Sequence, residues 1–89
     1  MYRLEETPTF RKDLSKLDQP IAEQILKKLH WLAEHPDALR FPLKHMPPDL
    51  KGLHKYRVGD YRILVWPDYK QRRLILYGVE HRRSIYNRL

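Results

Sequence analysis

The spacing of the apolar residues changes from a helical to a strand period in the middle of the chain, and this change restricts the possible folds more than any other feature. Between residues 8 and 35 apolar side chains recur every three or four positions, which is the period of an amphipathic helix. From residue 53 they alternate with polar residues or form short β-branched and aromatic runs, as strands do. The sequence therefore predicts an α+β fold, and a length of 89 residues fits one domain spanning 1–89.

The first part of the chain predicts a strand and two helices. Apolar and polar residues alternate over residues 1–5, as in a short strand. Thr7-Pro8 and Asp18-Gln19-Pro20 each place a capping side chain before a proline, which is typical of helix starts. The first helix should span residues 8–17, and the second should end near His35, because Pro36 disfavours a helical residue before it. The short connection between them predicts an antiparallel helix hairpin.

The second part predicts a meander of three strands, over residues 53–58, 61–66 and 73–79. Gly59-Asp60 forms the first turn, residues 67–71 form a loop, and residues 80–89 form a polar tail. Four prolines predict an irregular connection between the helices and these strands: Pro36, Pro42, Pro47 and Pro48. The order of elements is β-α-α-β-β-β. We expect the helix hairpin to cover one face of a small antiparallel sheet and to leave the opposite face for function.

All the excess positive charge lies in the second part of the chain. Residues 1–50 contain 8 Lys or Arg and 8 Asp or Glu, whereas residues 51–89 contain 10 Lys or Arg and only 3 acidic residues. The net charge of +7 therefore comes from residues 51–89 alone. A charge that served only solubility would be spread more evenly, so this asymmetry favours a polyanionic partner on one surface.

Several classes of protein are excluded or disfavoured by composition. The chain has no cysteine, which excludes disulfides, cysteine-based zinc sites and cysteine nucleophiles. Its glycines form no phosphate-cradling loop, so no cofactor is expected, and the histidines show no spacing typical of metal ligands. We interpret His30, His35, His45 and His54 as surface or loop residues, and Trp31 and Trp66 as core or helix–sheet contacts. Without a signal peptide or a long apolar run, we expect a soluble, cytoplasmic protein with no membrane association.

Basic residues alternate along the first meander strand. Lys55 and Arg57 should share one face, with Tyr56 and Val58 on the other. Arg62 lies just after the turn, and a suitable register would bring it onto the same face. The end of the third meander strand should bring Arg82 and Tyr86 next to this patch, with His81 at its rim.

Such a patch suits the metal-independent cleavage of RNA, in which a 2′-hydroxyl attacks the adjacent phosphorus. The reaction needs a base, an acid and cations that stabilise the developing negative charge. Arginines bind phosphate oxygens through two parallel hydrogen bonds. Lys55 is the candidate base, because neighbouring positive charges make a lysine easier to deprotonate. Tyr86 could stack on an unpaired base. Solvated lysines and a tyrosine that anchors the tail are the alternative interpretations.

Two motifs resemble the RelE/ParE superfamily of bacterial and archaeal toxins. The stretch L-K-G-L-H-K-Y-R-V-G-D-Y-R-I over residues 50–63 resembles the central motif of that family. The stretch V-E-H-R-R-S-I-Y over residues 79–86 resembles its ending G-H-R-R-x-x-Y, with Glu80 in place of the usual glycine. The two helices fit as well, so the resemblance covers essentially the whole chain.

The resemblance implies a RelE-like microbial ribonuclease fold and a toxin that cleaves messenger RNA in the ribosomal A site. It also implies inhibition by a cognate RelB-like antitoxin, which we expect to be acidic and largely extended. The implied catalytic residues are Lys55, Arg57, Arg62, Arg82 and Tyr86, and the implied RNA-binding residues are Lys51, His81 and Arg83. Which of His81, Arg82 and Arg83 acts in catalysis stays open.

The sequence leaves open three alternatives to this function and catalytic site. ParE-like relatives inhibit DNA gyrase without cutting RNA, but they generally lack the full set of basic residues and tyrosine. A plain nucleic-acid-binding module would bind without cleavage. Some relatives use histidine and glutamate as acid and base, a variant that Glu80 and His81 leave open.

Overall fold

The computed structural model describes residues 1–39, 42 and 52–81. Its elements follow the predicted order: β1 (Arg3–Glu6), α1 (Pro8–Ser15), α2 (Gln19–Glu34), a 3₁₀ turn (Pro36–Ala38), β2 (His54–Val58), β3 (Tyr61–Asp68) and β4 (Arg73–His81). Neither α-helix is long and apolar enough to cross a membrane. The predicted connection with four prolines and the tail from residue 82 fall mostly or entirely outside the described residues.

Both helices begin at the predicted positions. Thr7 caps α1, because its Oγ1 accepts a hydrogen bond from the N–H of Phe10 at 3.1 Å. The same hydroxyl donates to the carbonyl oxygen of Leu76 at 2.8 Å and thereby ties the start of α1 to β4. Asp18 occupies the corresponding position before α2 without a side-chain cap. The first helix ends at Ser15 rather than Leu17.

The four strands form one sheet in the order β1-β4-β3-β2. The predicted meander is confirmed, since β2 pairs with β3 and β3 with β4, both antiparallel. The first strand pairs with β4 in parallel, so the sheet is mixed rather than purely antiparallel. The helix hairpin between β1 and β2 allows this, because a parallel neighbour requires a long crossover connection.

The helices cover one face of the sheet, as predicted. Phe10 of α1 and three residues of α2 (Ile25, Leu29 and Leu32) pack with alternate residues of β3 and β4. The sheet side of this core consists of Ile63, Val65, Leu74 and Leu76, which are all completely buried. Lys55 and Arg57 point away from the core, because Tyr56 and Val58 between and beside them belong to it. We call the side of the sheet opposite the helices the open face.

Two strand boundaries differ from the prediction. The third strand continues through Pro67 and Asp68, which the sequence placed in a loop. Proline is tolerated there because β2 pairs with β3 only as far as Val65, so no partner on that side needs the missing N–H. The fourth strand continues through Glu80 and His81, which were predicted to lie in the tail. Both residues pair with the start of β3, opposite Arg62 and Tyr61.

A β-bulge in β4 shifts the alternation of the last strand residues. Leu64 faces Gly78 and Val65 faces Leu76, which leaves Tyr77 as an extra residue. At this irregularity the N–H of Val79 donates to Oδ2 of Asp13 on α1 at 3.0 Å. A Cβ atom on Gly78 would lie 3.1 Å from the same carboxylate oxygen, so the glycine makes room for this contact.

We expect Asp13→Ala to lower the free energy of unfolding by about 1–3 kcal/mol, because the N–H of Val79 then loses its acceptor. Asp13→Asn is the matched control, since its amide oxygen can still accept this hydrogen bond, and it should lose less. Equilibrium unfolding in urea measures both variants. Equal stability of Asp13→Ala and the unmodified protein would contradict the assignment.

Candidate nucleic-acid interface

Three cations lie together on the open face, where β2 ends and β3 begins. Arg57 and Arg62 are directly opposite each other on neighbouring strands, and Lys55 lies two residues before Arg57 on the same face. Lys55 and Arg57 are exposed and Arg62 is half-buried. We call these three residues the basic cluster. The structure thus brings together three of the five predicted catalytic residues and supplies the register that the sequence left open.

The tight turn between β2 and β3 determines this register. Gly59 has a φ of +58° and Asp60 has a negative φ, the pattern of a two-residue hairpin loop with glycine first. Arg57 donates through Nε to the carbonyl oxygen of Gly59, with a long separation of 3.4 Å. Like charges directly opposite each other on adjacent strands are destabilising. The repulsion between Arg57 and Arg62 is offset in part by Glu80, which pairs with Arg62 from β4, and the three cations keep an excess of positive charge.

Glu80 and His81 lie on opposite faces of the sheet, and the bulge determines which of them lies on the open face. Glu80 pairs with Arg62 and lies on the open face, next to the basic cluster. His81 pairs with Tyr61 and lies on the opposite face, where the two rings make an edge-to-face contact at 5.0 Å. His81 is therefore not brought together with Arg62 as the sequence predicted. The strand therefore does not bring Glu80 and His81 together on one face as an acid–base pair.

The remaining predicted site residues lie outside the described residues. These are Lys51, Arg82, Arg83 and Tyr86. Their roles remain predictions from the sequence motif.

The interpretation of the histidines was wrong for one of them. His54 is a buried strand residue, only 6% exposed, and its Nδ1 donates to the carbonyl oxygen of Gly52 at 2.7 Å. His30 and His35 are exposed, as expected, whereas His45 is outside the described part of the chain. Among the described residues, no three His, Asp or Glu side chains are grouped so that they could hold a metal ion.

The interpretation of both tryptophans as core or helix–sheet contacts was also wrong. Trp31 is 47% exposed on α2 and stacks on His35, with ring centroids 4.3 Å apart. Trp66 lies half-buried on the open face, on the same side of β3 as Arg62. The alternation from Arg62 through Leu64 to Trp66 was the signal that could have placed it there.

An ion-pair network of Arg73, Asp68 and Glu5 lies at the end of the open face opposite the basic cluster. Arg73 donates through Nε to Asp68 at 2.9 Å, and through Nη1 to both carboxylate oxygens of Glu5 at 3.0 and 3.1 Å. The hydrogen bond from Arg73, followed by that from the backbone N–H of Gln71, lowers the pKa of Asp68 below its ordinary value. The same carboxylates raise the pKa of Arg73. One guanidinium thus pairs with two carboxylates and offsets one of their two negative charges.

Comparison with known families identifies the same group of toxins that the motifs resemble. Residues 4–86 match the model of a family described as the ParE toxin of the type II toxin–antitoxin system parDE. The toxin RelE of Mycobacterium tuberculosis (strain ATCC 25618 / H37Rv) is 31% identical over 86 residues, which cover 96% of this chain and 86% of that protein.

Solved structures of RelE proteins share the fold. In the RelBE2 toxin–antitoxin complex from M. tuberculosis, one chain superposes with a TM-score of 0.77 at 29% identity, over 91% of this chain and 98% of that one. The isolated E. coli RelE toxin has a TM-score of 0.74 at 20% identity, and the superposition covers 100% of this chain and 100% of that one. The relatives named here are RelE proteins, although the family model is named after ParE.

The ion pair of Asp68 should make the protein sensitive to acid. Because the folded-state pKa of Asp68 is lowered from 3.8, its ionised form contributes stability above that pH, and this contribution is lost as the pH falls through the folded-state pKa. We expect Asp68→Asn to be less stable than the unmodified protein near neutral pH. The difference should shrink below about pH 3.8.

Urea unfolding over a series of pH values measures this dependence. A stability difference that stays constant down to the acid limit would contradict the role of the ionised carboxylate.

Proposed function

The chain belongs to the ParE/RelE family of type II toxins, as a toxin of the RelBE type, and we propose that it is an endoribonuclease that cleaves messenger RNA in the ribosomal A site. One observation carries this proposal, namely that Arg57 and Arg62 lie directly opposite each other beside Lys55. Such a concentration of positive charge, which Glu80 opposite Arg62 offsets only in part, favours the binding of a phosphate. The 31% identical relative is a RelE toxin, which supports the same conclusion.

The proposed reaction needs no external co-reactant. The 2′-hydroxyl loses its proton to a base, and its oxygen attacks the adjacent phosphorus to form a 2′,3′-cyclic phosphate. The bond from phosphorus to the 5′-oxygen of the next nucleotide breaks, and an acid protonates that leaving oxygen. Negative charge develops on the non-bridging oxygens, where fixed cations stabilise it most effectively.

The basic cluster supplies two of these functions in the proposal. Lys55 is our candidate for the base, since it lies on the same face as the two arginines. Arg57 and Arg62 stabilise the developing charge through their planar, multiply donating guanidinium groups. Arg82 is assigned to charge stabilisation or protonation of the leaving oxygen and Tyr86 to orienting the substrate base, on the strength of the sequence motif alone.

An antitoxin is the expected protein partner. The similar chains from M. tuberculosis and E. coli were solved in complexes named RelBE toxin–antitoxin complexes. We propose that this chain likewise binds a RelB-like antitoxin. An acidic, extended segment would complement its net charge of +7.

Inhibition of DNA gyrase is the second candidate function, because the matching family model is named after ParE. The similar curated protein and the similar structures are RelE proteins, and they favour RNA cleavage.

We expect Arg62→Ala to abolish growth arrest and to lower the rate of mRNA cleavage on purified ribosomes by about 10²-fold or more, since a stabiliser of transition-state charge is lost. Its stability should change little, because relief of the repulsion from Arg57 is opposed by loss of the cross-strand pair with Glu80. Arg11→Ala on the exposed side of α1 is the matched control and should cleave normally. Full toxicity of both Arg62→Ala and Arg82→Ala would exclude this site.

A supercoiling assay separates the two candidate functions. We expect the purified toxin to leave gyrase supercoiling unchanged at concentrations that cleave ribosome-bound mRNA. Inhibition of supercoiling with intact mRNA would instead establish the gyrase inhibitor.

A further inference from the structure

A second feature of the open face is a depression at the end opposite the basic cluster. It has a volume of about 460 Å³ and is lined by Trp66, Pro67, Asp68, Tyr69, Lys70 and Ile75. We call it the aromatic depression. Tyr69 is 55% exposed at its rim, and Lys70 beside it is exposed as well.

The walls of the aromatic depression are held in place before anything binds. Trp66 is backed by Gly52, where a Cβ atom would lie 3.4 Å from the indole nitrogen, at van der Waals contact. Gly52 has a φ of +96°, so glycine is favoured there by backbone conformation. Asp68 is held by Arg73 and by the backbone N–H of Gln71 at 3.1 Å. A preorganised wall lowers the cost of binding a ligand.

The aromatic depression is continuous with the basic cluster. Arg62 and Trp66 lie on the same side of β3, four residues apart, which corresponds to about 13 Å along a strand. A few nucleotides of single-stranded RNA span that distance. Leu64 lies between them on the same side, half-buried. A strand of RNA held at the basic cluster could therefore pass along β3 to the aromatic depression.

The chemistry of the aromatic depression favours a nucleobase as its occupant. Unpaired bases stack on aromatic side chains regardless of sequence, and a nearby lysine attracts the adjoining phosphate. Arg73 offsets one of the two negative charges of Asp68 and Glu5, and exposed Lys70, which lines the depression together with Asp68, offsets the other. An acidic peptide of the antitoxin is the competing occupant, but it would not require an aromatic wall beside a lysine.

We propose that the aromatic depression is a nucleobase-binding subsite, which holds an unpaired base of the RNA a few nucleotides away from the phosphate at the basic cluster. The subsite rests on the proposed ribonuclease function and extends it. It would strengthen substrate binding through stacking on Trp66 and Tyr69, with no part in bond cleavage.

Fluorescence of Trp66 tests this directly. The chain has two tryptophans, so Trp31→Phe leaves Trp66 as the sole indole. The probe is a short single-stranded RNA with 2′-O-methyl groups, which cannot be cleaved. We expect this RNA to quench Trp66, whereas an abasic strand of the same length should bind without quenching. Quenching by neither strand, or equally by both, overturns the subsite.

Variants give an independent measurement by fluorescence anisotropy of the labelled RNA. Tyr69→Ala and Trp66→Leu should raise its dissociation constant about tenfold by loss of base stacking. Trp31→Leu is the matched control on the helix side and should bind normally. If Trp66→Leu fails to fold, Tyr69→Ala on the exposed turn still decides the question, because it should weaken binding of the RNA but not of the abasic strand. Unchanged affinity of Tyr69→Ala for the RNA, or an equal loss for both strands, overturns the proposal.

Two outcomes distinguish this subsite from the proposed function. If the unmodified toxin cleaves ribosome-bound mRNA but RNA leaves Trp66 unaffected, the subsite is wrong and the ribonuclease assignment stands. If RNA binds and quenches Trp66 but no cleavage occurs, the subsite stands as an RNA-binding site and the ribonuclease assignment is wrong. Quenching by an acidic antitoxin peptide but not by RNA would assign the aromatic depression to the antitoxin.

Discussion

The hydrogen bond from the Val79 N–H to the carboxylate of Asp13 is the contact on which the open face depends. It satisfies an N–H at the bulge around Tyr77, where the pairing of β4 with β3 is shifted. The bulge reverses the alternation of the residues that follow, so that Glu80 lies beside Arg62 and His81 contacts Tyr61 on the other face. Gly78 permits the close approach of the helix that this contact requires. The bulge, which Asp13 of α1 supports, thus determines which β4 side chains face the basic cluster.

Stability and function are divided between the two faces of the sheet. The helix side holds a core of completely buried residues, among them Phe10, Leu29 and Ile63. This core compensates for the repulsion between Arg57 and Arg62 on the open face. Functional sites commonly violate such local rules, and the rest of the fold offsets the cost. The same face carries half-buried Trp66 and the ion-paired Asp68 at its far end, where an RNA strand would meet aromatic rings beside Lys70.

Most of the fold could be predicted because its signals are local. Thr7 before Pro8 marks the start of α1, and Gly59-Asp60 marks the turn that places Arg57 opposite Arg62. The predictions were wrong where contacts between distant parts of the chain determine the structure. Pro67 belongs to β3 because β2 ends before it, and Glu80 and His81 belong to β4 because β3 extends alongside them. His54 and Trp66 were misassigned because burial depends on which segments lie against a strand.

The sequence by itself determined the order of elements, the concentration of positive charge after residue 50 and the shared face of Lys55 and Arg57. These follow from periodicity and composition, which act within one segment. Only the tertiary structure decided that β1 joins β4 in parallel, that Glu80 rather than His81 adjoins the basic cluster, and that Trp66 lines the aromatic depression. Pairing between strands, and the bulge that Asp13 supports, depend on residues that are far apart in the chain. No local pattern contains that information.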